Sequence, residues 1–421
     1  MYATTAHILT WLLAAVATAG VIIRPFKIPE AVWAVAGAVL LVVTRLLQPR
    51  EAWIGIASGL NVYLFLTGMM LLAEVARQEK LFDWLAALAT KKANGSANRL
   101  FILIYLVGIA VTALLSNDAT AVVLTPAVVA AMRTAKITAP RPYLFICAFI
   151  ANAASFVLPI SNPANLVIYG SHMPALPQWL STYLLPSLVS IVATFLLLYG
   201  LQRKQLTGRI ATDISVPPLG PGGKLAGWGI IGTTVALLLA SALNIPLGLP
   251  TALAGALTAL IIIIRTGRRP AVFLTKISWS ILPLVAGLFV IVEALNKTGL
   301  IKTLGSVLQQ YAAQSIPLTA WVSGLLVGFG TNLTNNLPAG LIAGHVIQSA
   351  RTPHLIQSAV LIGIDLGPNL SVTGSLATIL WLIALRREGI RVSAVNFLRL
   401  GAWVMTIALV ATLGTLYLMA G

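Results

Sequence analysis

Along the chain, apolar residues gather into blocks of helical length, separated by short joints rich in polar residues, Gly and Pro. Stretches near 6–23, 30–47, 53–76, 141–168, 180–200, 226–243, 249–265, 274–296, 354–385 and 394–419 predict ten membrane-crossing helices. Two further apolar blocks, 100–132 and 317–350, are interrupted centrally by polar clusters, "SND" at 116–118 and "TNN" at 334–336. Each block is about 33 residues, so a straight helix would run ~50 Å, too long for the hydrocarbon layer. A re-entrant hairpin with its polar tip in mid-membrane fits better. Irregular backbone at that depth is tolerated only where it is buried in protein or lines a cavity.

The pattern repeats. "GMMLLAE" (Gly68–Glu74) matches "GLFVIVE" (Gly287–Glu293), and each precedes an amphipathic connector and one interrupted block. Asn117-Asp118 aligns with Asn335-Asn336. A broken helix follows each hairpin, "VLPISNPANLVI" (157–168) and "IDLGPNLSVTGSLATI" (364–379). The expected layout is a first repeat over 1–206, with hairpin 100–132 and broken helix 141–168. A Pro- and Gly-bearing linker follows over 207–223, then a second repeat over 224–421 with hairpin 317–350 and broken helix 354–385. Five crossings per repeat, one of them broken, put the halves in opposite orientations. Inverted repeats with discontinuous helices point to a secondary transporter with a midplane site.

Composition agrees. The 421 residues are 58% hydrophobic and only 9% charged, against about 25% charged in soluble domains. The fold class is therefore an all-α polytopic membrane protein. Met1–Thr5 has no basic stretch of the signal-peptide kind, so the first apolar segment reads as a retained span. The net charge of +17 sits in short loops, which argues against nucleic acid as a partner and reports orientation instead. With both blocks folded as hairpins, all but five of the 27 Lys and Arg share one face; the exceptions are Arg45, Arg50, Lys297, Lys302 and Arg351. That face is expected to be cytoplasmic, both termini to lie on the other side, and the hairpins to open inward and outward respectively.

Four acids fall inside apolar segments: Glu74, Asp118, Glu293 and Asp365. Intramembrane carboxylates usually face a cavity or a partner. Glu74 and Glu293 lie three and four residues before Arg77 and Lys297, a spacing that suits a structural ion pair. Asp118 and Asp365 have no basic residue within one turn and sit at predicted breaks, where a carboxyl group can load and release a proton or touch a substrate. An Asp can also cap broken backbone, so Asp365 keeps both readings. The neutral candidates for substrate contact are Ser116, Asn117, Thr120, Ser161, Asn162, Asn165, Thr334, Asn335, Asn336, Asn369, Thr373, Gly374 and Ser375. Singly, each is as well explained by satisfying broken backbone; their convergence at four breaks is the signal.

Other chemistries recede. Cys147 is the one cysteine and reads as packing, and the histidines lack metal-ligand spacing, so no cofactor or resident metal is implied. There is no phosphate-binding loop, hence no ATP hydrolysis by this chain. An intramembrane aspartyl protease pairing Asp118 with Asp365 is the enzyme rival, but "GID" at 363–365 fits the Gly-x-Gly-Asp pattern poorly.

The motifs "SNDATAVVLTP" (116–126), "ISNPANLVI" (160–168), "TNNLPAGLI" (334–342) and "DLGPNLSVTGSLATILWL" (365–382) resemble the arsenite/antimonite efflux permeases of the ion transporter superfamily. The resemblance implies a scaffold and a transport region in a bacterial or archaeal cytoplasmic (inner) membrane. It implies export of trivalent arsenic and antimony in exchange for protons, alone or beside a soluble ATPase partner. Sodium-coupled relatives carry Ser-Asn-Thr at the hairpin tips; Asp118 in place of that Thr favours a proton. One cysteine cannot make the thiolate cage that soft trivalent arsenic ordinarily takes. Arsenite would then be held as the neutral trihydroxide by hydroxyl hydrogen bonds. A sodium/proton antiporter and a sodium-coupled carboxylate carrier of the same fold remain the alternatives; the lack of Lys or Arg within the four breaks counts against the second.

Overall fold

A computed structural model describes residues 2–206, 208 and 210–420; Thr207 and Arg209 of the expected linker lie outside the described residues. The described residues are helical throughout their ordered elements. The first half runs α1 (Tyr2–Ile23), α2 (Glu30–Val43), α3 (Pro49–Ser58), α4 (Leu60–Gln78), α5 (Leu81–Lys92), α6 (Ala97–Leu114), α7 (Asn117–Ala119), α8 (Thr125–Thr134), α9 (Arg141–Ala153), α10 (Pro163–Tyr169) and α11 (Leu176–Gln202). The second runs α12 (Pro221–Ala242), α13 (Gly248–Thr266), α14 (Ala271–Leu274), α15 (Ile281–Lys297), α16 (Leu300–Gln314), α17 (Ile316–Thr334), α18 (Asn336–Ala350), α19 (His354–Leu366), α20 (Leu376–Arg387) and α21 (Ala394–Ala420).

Eight of these helices are long and apolar enough to cross a membrane, or nine with the α15–α16 pair, which bends by 72° at Thr298–Gly299. The eight include α6 and α17, the first arms of the two interrupted blocks. They leave out the two broken helices, whose halves are each too short to qualify alone. Several predicted spans differ in detail. The 30–47 span stops at Val43, where Arg45 turns into the left-handed region (φ 59°). The 53–76 span is two helices that meet at Gly59, against the Tyr63 and Phe289 rings. The 274–296 span starts only at Ile281, because residues after the short α14 form turns.

Both interrupted blocks break where the polar clusters stand. In the first, Thr112 and Thr120 share a hydroxyl–hydroxyl hydrogen bond of 2.8 Å. Eight residues along a continuous helix would set them about 12 Å apart, so the helix is interrupted there. A π-helical turn (Thr120–Leu124) follows before α8 resumes. In the second, Asn335 takes φ 73° and ψ 152°, a conformation that strains any residue but Gly, and separates α17 from α18.

Helix pairing is reciprocal between the halves. Helix α4 packs on α13 and α15 packs on α2; α10 packs on α18 and α20 on the α7–α8 segment. Glycines permit the first two crossings: a Cβ on Gly68 would strike the Thr251 carbonyl, and one on Gly287 would meet the Ala34 backbone. Close backbone approach at small residues is how helices gain packing energy where the surrounding lipid is as apolar as they are.

The polar joints are tied as well. Arg77 forms a two-pronged ion pair with Glu74, at 2.6 and 2.8 Å, as the spacing predicts. The expected Glu293–Lys297 pair does not form; Lys297 instead reaches Glu51 at 2.9 Å. Burial explains this: Glu293 is half-covered on α15 where α3 packs, while Lys297 points outward to the start of α3. The Lys297 hydrogen bond, with a second from the Gln48 amide, holds the Glu51 carboxyl below its ordinary range.

Gly68→Ala is expected to destabilise the protein by about 1–3 kcal/mol through overpacking. Gly232→Ala, with open space around it, should leave the melting temperature unchanged or slightly raised. Thermal unfolding of the two variants in detergent checks the contrast.

Candidate functional site

The breaks of each half meet one another. In the first half, the Asn117 amide donates to the Ser161 carbonyl at 3.0 Å, joining the hairpin tip to the gap between α9 and α10. In the second half, the Asn336 amide donates to the Gly374 carbonyl at 2.9 Å, joining its tip to the gap between α19 and α20. Each tip has a side-chain cap: Ser116 Oγ accepts from the Ala119 amide three residues on, and Asn335 Oδ1 from the Leu337 amide two residues on.

These matched bonds correct the repeat alignment. Asn117 corresponds to Asn336, a displacement of 219 that equals the one between Glu74 and Glu293. Asp118 therefore corresponds to Leu337, not to Asn336. Pairing Asn117-Asp118 with Asn335-Asn336 follows the residue letters, whereas the backbone bonds follow the caps.

Asp118 is half-buried and lines a cavity of about 60 Å³ with Ser116, Val122, Pro163, Met69 and Met70 among its walls. Its carboxylate makes no hydrogen bond or ion pair among the described residues, although its own amide is held by Asn117 Oδ1 at 2.9 Å. Glu74 reaches the same cavity, with its charge matched by Arg77. The exposed Lys276 stands at the rim. At the second tip the space is about 10 Å³, lined by Leu337, Leu288, Asn335 and the Arg24–Glu30 ion pair. Arg24 is thus a basic residue near a break that chain spacing does not reveal.

Asp365 is placed differently. It is fully buried, and no cavity reaches it among those lined by Asp118 or Asn335. Asn162 Nδ2 donates to Oδ1 and Ser155 Oγ to Oδ2, each at 2.8 Å. One aspartate of the second half is therefore held by two residues of the first. Beside it, Asn152 Nδ2 donates to Asn369 Oδ1 at 3.0 Å, while Asn369 Nδ2 donates to the Phe149 carbonyl. These bonds cross the halves a second time.

The remaining candidates mostly satisfy local backbone. Thr120 bonds Thr112, Ser161 Oγ donates to the Ala113 carbonyl, Thr334 donates to its own helix, and Ser375 caps α20 through the Thr378 amide. Thr373 donates to the Asn332 carbonyl and shares a bond with Ser371. Gly374 is packed so closely on Pro368 that a side chain would clash. Asn165 donates to the Ser155 carbonyl, yet its Oδ1 is buried without a partner, as is Asn336 Oδ1. Buried acceptors of this kind are rare. Ser155, Asn152, Thr112 and Asn332 belong to the site although the sequence reading passes over them. The signal for Asn332 is its place two residues before "TNN", and for Asn152 and Ser155 their polarity inside an otherwise apolar run. Cys147 is buried on α9, with its sulphur directed at the Tyr143 carbonyl, and touches neither tip cavity. No group of metal-ligating side chains occurs among the described residues.

A multi-pass helical protein with two broken, mutually stitched segments around a buried acid is a secondary transporter, not an enzyme. The chain belongs to the family described as "Citrate transporter", whose model matches residues 15–364. It is 28% identical over 399 residues to the arsenical pump membrane protein of Escherichia coli K12, covering 91% of this chain and 92% of that protein. It is also 26% identical over 417 residues to an uncharacterized transporter of Mycobacterium tuberculosis H37Rv, covering 94% and 95%. Among solved structures, the YdaH transporter of Alcanivorax borkumensis, whose topology is described as unusual, is similar in fold. Its TM-score is 0.58 at 15% identity, over 88% of this chain and 87% of that one.

Removing both donors to Asp365, with Ser155→Ala and Asn162→Ala together, leaves a buried carboxylate unsupported. The expected cost is about 1–3 kcal/mol per lost bond. The melting temperature in detergent should fall, and Asp365→Ala added to the pair should recover part of the loss.

Proposed function

We propose that the chain exports arsenite and antimonite as neutral trihydroxides in exchange for protons, with Asp118 carrying the coupling proton. The observation that carries this reading is the Asp118 carboxylate itself, half-buried, unpaired, and facing a small cavity at the first break. A water-sized atom needs about 10–15 Å³ of such space, so 60 Å³ suits a solute of roughly four heavy atoms. Arsenic with three hydroxyls is of that size. Protonated Asp118 disfavours the cargo and promotes its release; deprotonated Asp118 accepts a hydroxyl hydrogen bond from it. Ser116 and Asp118 line this pocket, Asn117 ties the tip to the gap behind it, Asn162 holds Asp365, and the other candidates at the breaks keep the backbone satisfied. Asp365 acts as the partner that links the two halves rather than as the first proton carrier.

The layout that goes with this reading is two inverted repeats, 1–206 and 224–421, with re-entrant hairpins at 100–132 and 317–350. The basic loops face the cytoplasm and both termini the opposite side of a bacterial or archaeal inner membrane. Exchange of a neutral solute for a proton moves charge, so the membrane potential contributes about 2.3 kcal/mol per 100 mV. A proton gradient is then sufficient without the ATPase partner that the resemblance allows. The arsenical pump membrane protein of Escherichia coli K12 named above supports the cargo.

The family description raises citrate as a second cargo. Against it, a tricarboxylate would meet Asp118 and Glu74 in a cavity too small for it, and Arg24 is already neutralised by Glu30 at 2.9 Å. Proteoliposomes with an imposed pH gradient, assayed for arsenite, sodium and citrate in parallel, should move arsenite alone; citrate or sodium flux without arsenite flux would overturn the reading.

Asp118→Asn is expected to abolish proton-driven arsenite uptake into everted vesicles while leaving insertion normal. Full retained uptake would remove Asp118 from the coupling step. Cys147→Ser should transport at close to the wild-type rate in the same assay, because its thiol lies outside the cavity.

A further inference from the structure

Two side chains in the first cavity have no part in proton coupling. Met69 and Met70 stand on α4 and line the same space as Ser116 and Asp118. Met69 is 3% exposed, whereas Met70 is half-buried at the cavity wall. The repeat displacement of 219 carries these positions to Leu288 and Phe289 on α15. There Leu288 and Leu337 face each other across about 10 Å³. Sulphur, an unpaired carboxylate and free volume therefore occur together at one tip; at the other, Leu288 and Leu337 stand at the matching positions, beside the paired Arg24 and Glu30. Packing alone does not account for this. Leu and Met exchange with little change of volume, and Leu288 serves at the wall equivalent to that of Met69.

We propose that Met69 and Met70 form a soft contact site for the trivalent metalloid atom and so set its selection over hard solutes of the same shape. The inference rests on the arsenite reading above and adds its specificity element. The pocket has two chemically distinct walls. Ser116 and Asp118 meet the hydroxyl groups, while the polarisable thioethers face the arsenic or antimony atom. The contact is a non-covalent donation of a sulphur lone pair. All three hydroxyls stay on the metalloid, no proton or electron moves, and sulphur is not oxidised. Weak contact of this kind releases its cargo, as a thiolate cage would not. Boric acid offers the same three hydroxyls around a hard centre and gains nothing from the methionines.

The test uses full-length protein in proteoliposomes with a fixed pH gradient. Met69→Leu, Met70→Leu and the double variant are compared with wild type for arsenite and antimonite flux, and for inhibition by boric acid. The apparent KM of the double variant should rise by about tenfold, equal to ~1.4 kcal/mol, with more loss for antimonite than arsenite and little change in maximal rate. Boric acid should inhibit the variant at concentrations that leave wild type unaffected. X-ray absorption at the arsenic edge, on arsenite bound to selenomethionine-labelled wild-type protein, should contain an arsenic–selenium path that the double variant lacks. This second readout does not depend on the variants being active, and a methionine used only for packing would not produce it. Unchanged KM values in correctly inserted variants, or labelled wild type without that path, overturn the inference and leave arsenite export standing. Wild-type liposomes that move no arsenite overturn both.

Discussion

Breaking a helix inside a membrane frees amides and carbonyls that no solvent will satisfy, and the rest of this structure follows from that constraint. Each half meets it by placing one break against another. The Asn117 amide closes on the Ser161 carbonyl, and the Asn336 amide closes on Gly374. A lost bond of this type in hydrocarbon costs several kcal/mol, so tip and gap are held as one unit. Small residues then become obligatory around the units. Gly328 lies against Gly363 and Gly367, and Gly324 against the Ala359 carbonyl, because backbone must approach backbone there.

The two units are also coupled to each other. Asp365 belongs to the second half but is held by Ser155 and Asn162 of the first, and Asn369 is held by Asn152 and Phe149. A conformational change that separates the gaps must break the two hydrogen bonds that Ser155 and Asn162 give a buried carboxylate. Motion of both gaps together against α2, α4, α13 and α15 preserves them. The glycine crossings bind α4 to α13 and α15 to α2, and the Asp118 cavity lies between α4, the start of α15 and the first tip.

Near-symmetry makes the remaining asymmetry informative. The halves share caps, stitches and crossings, yet among the described residues the first tip has an unpaired carboxylate, two thioethers and about 60 Å³ of space, where the second has a paired one, leucines and about 10 Å³. Letter matching along the chain aligns Asp118 with Asn336 and presents the contrast as acid against amide. The cap geometry aligns it with Leu337, and the contrast becomes acid against hydrocarbon. A single chemically equipped site in a doubled scaffold suits a transporter that handles one small solute at a time.

Much of this was legible in the residues alone. Apolar blocks of membrane length, the two interruptions at "SND" and "TNN" and the Pro-bearing breaks all follow from the requirement that lipid-exposed backbone be helical. The Glu74–Arg77 pair follows from helix periodicity. Those features depend on neighbours along the chain. What depended on residues far apart was decided only in the tertiary structure. Lys297 chose Glu51 over Glu293, Arg24 came beside the second tip, and Asp365 was enclosed by Ser155 and Asn162 while Asp118 was left facing a cavity. Two aspartates in similar local sequence thus differ because solvent access and hydrogen-bond partners are set by what packs against them, which no local pattern records.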